Sequence, residues 1–221
     1  MADPTAVLFD LDGTLTDTNY LHALAWRRAF LEAGEDVATA RIHRMIGAGS
    51  DVLLRELVGE ERDDVKEGWR RNFDALKGDV RAFPAAGDLL RAVAERGARV
   101  VLATSSEPDD VEVLRAAIDA DDVVHAVTDA GDVEEAKPSP EVFERALQAA
   151  GADARSALVV GDTRWDVEAA RAAGVDAVTL LCGGIGRAEL EAAGAVAVFE
   201  DPADLLRRLD ESPLARLWLS R

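Results

Sequence analysis

Beyond Phe83-Pro84 the sequence alternates short apolar runs with segments of helical period, and this rhythm constrains the fold more than any other feature. Arg99–Ala103, Val123–Val127, Ala157–Val160 and Asp176–Leu181 are short and almost free of polar alternation, the pattern of strands covered on both faces. Between them Ala86–Arg96, Pro108–Ala117, Pro140–Ala150 and Asp166–Ala173 read as helices, with Gly97, Gly151 and Gly174 as stops. A short helix at Glu189–Ala193, an edge strand at Val196–Phe199 and a closing helix at Pro202–Leu209 complete the series. Repeated strand–helix units pair their strands in parallel and lay helices on both faces. The expected fold class is therefore α/β, a three-layer Rossmann-like parallel sheet.

One strand lies outside this rhythm. Thr5–Phe9 reads as a buried parallel strand, but helix and loop follow it, not another strand. Asn19 to Gly34, Ala38 to Met45, Asp51 to Leu57 and Asp63 to Leu76 are helical, with a break at Gly47-Ala48-Gly49-Ser50. The expected organisation is a core of residues 1–16 and 82–221 carrying a helical module of residues 17–81. No internal repeat and no low-complexity linker interrupts it.

Hydrophobic residues make up 48% and aromatics 5%, so the core of this 221-residue chain has to be aliphatic. The 25 basic and 43 acidic residues leave a formal charge of −18, which repels nucleic acid and anionic membrane surfaces. A small phosphorylated metabolite is an acceptable partner where local cations outweigh that field. Cys182 is the single cysteine, so an intrachain disulfide and a Cys-based zinc site are excluded. Met1-Ala2-Asp3-Pro4 has no basic region and no apolar run, and the Val175–Ile185 stretch is broken by Asp176 and glycines. A cytoplasmic location is expected; the oligomeric state, monomer or homodimer, is not legible.

In doubly wound sheets the ligand site lies outside the carboxyl ends of the strands. Those ends carry Asp10 and Asp12, then Thr104, Ser105 and Ser106, then Asp162, while Lys137 stands in a loop just before a helix. Two acids one residue apart repel each other unless a cation lies between them, and hard oxygen ligands suit Mg²⁺. The bland alternative is a strand running into a polar Asp-Gly turn. Together the residues match the needs of phosphoryl chemistry. Asp10 can attack phosphorus, Asp12 can move protons for the leaving group and water, and Asp10 with Asp162 can hold Mg²⁺. Thr104 and nearby backbone N–H groups can bind phosphoryl oxygens, and Lys137 adds a positive point charge. Lysine occurs only at positions 66, 77 and 137 in a chain that otherwise uses arginine, which singles out Lys137. Asp166 reads either as a helix cap or as a support that orients Lys137 or a metal-bound water.

The residues Asp10-Leu11-Asp12-Gly13-Thr14-Leu15, Val101-Leu102-Ala103-Thr104-Ser105-Ser106, Lys137-Pro138 and Gly161-Asp162-Thr163-Arg164-Trp165-Asp166 stand in the order and spacing of four motifs. In these the chain resembles the haloacid dehalogenase superfamily of Mg²⁺-dependent phosphotransferases, over nearly its whole length. The resemblance implies Asp10 as nucleophile, Asp12 as general acid/base, and Thr104 and Lys137 as the phosphoryl-binding pair. It also implies phosphoryl contacts at Gly13, Ser105 and Ser106, and Mg²⁺ bound by Asp10, Asp162 and the backbone carbonyl of Asp12. The helical insert looks like that family's mobile cap, hinged about Asp17 and Arg81. This places the chain near the phosphoglycolate phosphatase and β-phosphoglucomutase branch.

Asp12 argues for phosphate chemistry, because dehalogenating members lack the second acid. His22 and Trp26 match the mutase pattern, but Ser50 stands where that branch has an arginine for a second phosphate, which favours hydrolysis; Arg44 is a candidate substitute. The expected activity is a Mg²⁺-dependent phosphatase acting through an aspartyl-phosphate, with a phosphomutase as the alternative. A phospho-accepting receiver is disfavoured because receivers are about half this length and carry the acceptor on a middle strand. Specificity is expected from His22, Arg44, Ser50 and Arg71, with the Arg81–Pro84 linker. His43 and His125 read as structural, and Gly183-Gly184-Ile185-Gly186 is an incomplete dinucleotide fingerprint after the wrong strand.

Overall fold

In the computed structural model, which describes residues 4–219, six strands form one parallel sheet. The strands are β1 (Ala6–Phe9), β2 (Arg99–Ala103), β3 (Val124–Thr128), β4 (Ala157–Gly161), β5 (Asp176–Leu180) and β6 (Ala197–Phe199). Their order across the sheet is β3-β2-β1-β4-β5-β6, so the first strand of the chain is central. Every residue of β1 is buried, because a central strand of a parallel sheet is covered on both faces. Successive side chains of β1 point to opposite faces. Val7 and Phe9 join a cluster with Leu102, Val160, Leu89, Leu90 and Val93, whereas Ala6 and Leu8 join Val101, Val159, Val142, Phe143 and Ala170. Sealing a Phe or Leu side chain into such a layer is worth about 1.5–3 kcal/mol.

The helices are α1 (Asn19–Glu32), α2 (Thr39–His43), α3 (Ser50–Val58), α4 (Asp63–Asp74), α5 (Ala86–Glu95), α6 (Pro108–Ile118), α7 (Glu141–Ala150), α8 (Arg164–Ala172), α9 (Arg187–Ala193), α10 (Pro202–Arg207) and α11 (Arg216–Leu219). Helices α1 to α4 follow β1 directly and have their own apolar centre. Ala23, Trp26, Phe30, Ile42, Leu53, Leu54 and Val65 form a cluster separate from the two that flank the sheet. Trp26, Trp69, Phe73 and His22 stack in a row between α1 and α4, with centroid separations from 4.0 to 5.8 Å. The two passes between this insert and the core run side by side. Thr16 and Ala82 form an antiparallel bridge, Asp17 N–H donates to Arg81 O at 2.9 Å, and Phe83 N–H donates to Leu15 O at 2.9 Å.

Register brings the functional strand ends level. Phe9 pairs with Leu102 on one side and Val160 on the other, and Asp10 N–H continues the ladder to Val160 O at 2.9 Å. Asp10 is therefore level with Ala103 and Gly161, and Thr104 and Asp162 follow one residue beyond it at the same edge of the sheet.

The differences from the sequence reading are small and local. Helix α8 begins at Arg164, not Asp166, because Thr163 is its N-cap. Edge strand β3 is half-exposed and lies one residue later than the apolar run suggested. The turns after α10 and the short α11 pack Leu209, Leu214 and Leu217 onto the first cluster. Residues 1–3, on which the expectation about the N-terminus partly rested, and residues 220–221 lie outside the described residues.

Candidate active site

Directly after β1 the backbone turns back on itself. Leu15 N–H and Thr16 N–H both donate to Leu11 O at 2.9 Å, and Gly13 N–H donates to Thr16 O at 2.8 Å. Gly13 has φ +79°, and a Cβ there would lie 2.2 Å from Asn19 Nδ2 and 2.4 Å from Asp162 Oδ2. Only glycine fits this turn. It aims Asp10 and Asp12 in different directions, into different surroundings.

Asp10 faces a set of buried charges. Lys137 Nζ donates to Asp10 Oδ1 and also to Asp166 Oδ1, the latter at 2.8 Å. Thr14 Oγ1 donates to Asp162 Oδ1 at 3.0 Å and lies 3.4 Å from Asp10 Oδ2. Burial pushes the Asp10 carboxyl up to about 7; Lys137 opposes this, and Asp166 and Asp12 add to it. Burial likewise holds Asp162 well above the usual carboxylate range, with Asp166 and Asp10 reinforcing the effect. Burial works against the Lys137 ammonium, but Asp10 and Asp166 outweigh it and hold the group above its ordinary value. Two of the three buried carboxylates, Asp10 and Asp166, thus share one ammonium, and Asp162 has neutral donors.

Asp166 serves two partners. Its Oδ2 closes a capping box, accepting from Thr163 N at 3.0 Å and Thr163 Oγ1 at 2.6 Å, while Oδ1 holds Lys137. Asp166, at the third position of α8 behind the N-cap Thr163, thus closes the cap and holds Lys137 at once.

Asp12 points the other way. Thr18 Oγ1 and Ser106 Oγ each donate to it at 2.6 Å, to Oδ1 and Oδ2 respectively, and His22 Nε2 lies 3.1 Å from Oδ1. Burial by itself raises this carboxyl, yet His22 and the two hydroxyl donors outweigh it and bring Asp12 down to about 2. One carboxyl is therefore held up and its neighbour held down by their different surroundings.

Thr104 and Ser105 line the same space. Thr104 is buried, its N–H donates to Thr128 O at 3.0 Å, and its Oγ1 accepts from Ser106 N at 3.1 Å. Ser105 Oγ is buried without a hydrogen-bond partner. These groups open onto a cavity of about 670 Å³ between the strand ends and the helical insert. The insert's side is formed by His22, Trp26, Ser50, Arg55, Trp69 and Arg70.

Of the specificity residues expected from the sequence, His22 and Ser50 border this cavity. Arg44 lies outside it, pairing with Glu189 at 2.5 Å beside a separate recess of Arg41, Glu56 and Arg164. Arg71 pairs with Glu32 at 3.3 Å on the surface. The arginines that do reach the cavity are Arg55 and Arg70. Arg70 lies over Trp69 and donates to the buried Asp110 at 2.5 Å. Helical periodicity alone does not tell Arg70 from Arg71, because the helix's rotation against α1 decides which one turns inward. Thr14, Thr18 and Asn19 carry no chemical signature in the sequence, and close contacts alone reveal them.

Asp10, Asp162 and Asp166 each offer a carboxylate oxygen within 4.8 Å of the others. Hard, anionic and under-neutralised, this donor set fits Mg²⁺. The carboxylate of Asp12 is taken up by its own donors, which leaves a backbone carbonyl as that residue's contribution to the expected ligand set.

A doubly wound sheet with paired carboxylates, a lysine and hydroxyls at its carboxyl edge and a helical insert above them defines a class of hydrolase. The chain belongs to the haloacid dehalogenase-like hydrolase family, whose model matches residues 4–174. It is 32% identical to the phosphoglycolate phosphatase of Rhodospirillum rubrum over 91% of this chain and 89% of that protein. It is 30% identical to the phosphoglycolate phosphatase of Pseudomonas putida over 76% of this chain and 66% of that protein. Among solved structures, a hydrolase from Pseudomonas syringae superposes with a TM-score of 0.87 at 35% identity, covering 94% of this chain and 98% of that one. CbbY from Rhodobacter sphaeroides in complex with phosphate matches with a TM-score of 0.73 at 26% identity, covering 91% and 96%. The sequence expectation of a haloacid dehalogenase fold with phosphatase relatives holds. No helix among the described residues is long and apolar enough to cross a membrane.

Proposed function

We propose that the chain is a Mg²⁺-dependent phosphatase that hydrolyses a small phosphomonoester through an aspartyl-phosphate on Asp10. The observation that carries this reading is the divided environment of the acid pair: Asp10 against Lys137, Asp12 against Thr18, His22 and Ser106. Asp10, Asp162 and the Asp12 backbone carbonyl would hold Mg²⁺, supported from behind by Asp166. The ion supplies charge neutralisation where three anions meet.

In the first step an Asp10 oxygen attacks phosphorus in line, the phosphorus–ester oxygen bond breaks, and Asp12 gives its proton to the departing alkoxide. Bringing a phosphate group beside Asp12 raises its affinity for that proton, since like charge disfavours the ionised form. In the second step Asp12 takes a proton from water, the oxygen of that water attacks phosphorus, and the bond to Asp10 breaks, releasing inorganic phosphate. Lys137 and Thr104 bind the equatorial oxygens, and the unpartnered Ser105 Oγ is a donor placed for one of them. The cavity of about 670 Å³ suits a metabolite rather than a polymer. The enclosed position of the site beneath the insert supports a lid that opens for exchange, and the reducing cytoplasm suits a chain with one thiol.

The mutase reading keeps one observation in its favour, the two cavity arginines, which suit a second anionic group. Purified protein is assayed on an aryl phosphate and a panel of sugar, glycolate and nucleotide phosphates, with Mg²⁺ or EDTA. Phosphate release that needs Mg²⁺ supports hydrolysis. Isomerised product without free phosphate, requiring a bisphosphate activator, supports the mutase. Full activity in Asp10→Asn refutes the mechanism.

A further inference from the structure

The first helix of the insert carries a buried side chain that the steps above leave unused. Asn19 is 2% exposed and opens α1, yet it reaches into the core. Its Nδ2 donates to Asp162 Oδ2 at 2.7 Å and to Gly183 O at 3.1 Å. Both partners are acceptors, so the amide orientation follows from the contacts. Its Oδ1 is buried with no hydrogen-bond partner, a costly state for a carbonyl oxygen.

The surroundings are shaped around this amide. A Cβ on Gly183 would lie 2.8 Å from Asn19 Nδ2 and 1.7 Å from Asp162 Oδ2, and the Gly13 Cβ would meet Nδ2 as well. The plain structural explanation is that Asn19 docks the insert onto the loop after β5. His43 makes that docking contact too: its Nε2 lies 2.9 Å from Gly183 O, and its ring stacks on Tyr20 at 4.7 Å. Docking alone therefore leaves unexplained why Asn19 also grips Asp162 and why its Oδ1 has no partner. A donor that fixes the Asp162 carboxylate and has its own oxygen left open for a cation answers both points.

We infer that Asn19 is a positioning residue of the cation site, holding the Asp162 carboxylate in place and leaving Oδ1 as a further oxygen beside it. The inference rests on the Mg²⁺-dependent reading above. It makes the helical insert a contributor to cation affinity, although the expected ligands all belong to the core. By reciprocity, the cation then favours the docked insert.

The test compares Asn19→Ala with His43→Ala, because both remove a contact with Gly183 O and only the first releases Asp162. Mg²⁺ is titrated by thermal shift without substrate, and by its half-saturating concentration for aryl phosphate hydrolysis. Asn19→Ala should raise both midpoints about 10–100-fold, the usual effect of removing a partner that orients a ligand, while KM for the phosphate ester at saturating Mg²⁺ changes little. His43→Ala should keep both midpoints near the wild-type values. Unchanged midpoints in Asn19→Ala, or equal increases in both variants, overturn the inference and leave the phosphatase reading standing. A wild-type protein with neither a Mg²⁺ shift nor a Mg²⁺ requirement overturns both. If Asn19→Ala does not fold, Asn19→Ser, too short to reach both acceptors, is titrated under the same criteria.

Discussion

Replacing the proposed nucleophile should make the metal-free protein more stable. Asp10 is buried, and its carboxyl is raised from the ordinary 3.8 to about 7. Above both values the folded state has to keep an anion that the unfolded state exposes freely to water, and the difference corresponds to about 4 kcal/mol. Asp10→Asn places a neutral group of the same shape there. The amide oxygen can still accept from Lys137, and the amide nitrogen can donate to Thr14 Oγ1, which lies 3.4 Å from that position. The sign follows from the direction of the shift. A carboxyl raised on folding destabilises the native state at high pH, and this penalty shrinks as pH falls through 7 toward 4. In EDTA at pH 8 the variant should therefore exceed the wild type by about 4 kcal/mol, and by clearly less at pH 5. For a chain of this length that is a Tm increase of about 10 °C at pH 8. Urea unfolding and thermal melts at both pH values provide the measurement. Mg²⁺ at a hundred times its Kd should stabilise the wild type by about 2.7 kcal/mol and narrow the gap. A variant no more stable than wild type at pH 8 in EDTA, or a gap independent of pH, would refute the account of a buried Asp10 carboxylate that Lys137 neutralises only in part.

Three further outcomes follow from the same geometry. Lys137→Met removes the one ammonium between Asp10 and Asp166 and should cost about 3–5 kcal/mol in urea unfolding, with part recovered in the Asp10→Asn/Lys137→Met double variant because the sites share contacts. Arg70→Ala should raise KM for phosphate esters with a second acidic group by about tenfold while sparing a neutral aryl ester, since one guanidinium contact to an anion is worth about 1.5 kcal/mol; equal effects on both esters would argue against a substrate contact. Gly183→Ala, whose Cβ would meet Asp162 Oδ2 at 1.7 Å, should displace that carboxylate and raise the Mg²⁺ midpoint, read by the same thermal titration.

The order of strands and helices was legible from the chain because each buried strand is a short apolar run and each helix ends at a glycine or a polar turn. The acid pair, Thr104 and Asp162 were legible for a related reason: strand ends are positions where polar side chains stand out against aliphatic surroundings, while Lys137 stood out as one of three lysines. Side-chain chemistry and local period are written in neighbouring residues, so a single sequence carries them. Orientation is not. Whether Arg70 or Arg71 faces the cavity depends on how α4 packs against α1 through Trp69 and Phe73. Arg44, plausible by position, is drawn outward by Glu189, a residue 145 positions away. Thr14, Thr18 and Asn19 look like ordinary turn and cap residues until folding places them against Asp162 and Asp12. The sequence by itself determined the sheet, the helical insert and the side chains gathered at the candidate site. Which carboxyl is raised, which is lowered and which side chains hold them was decided by tertiary structure, because burial and contacts between distant residues set those energies.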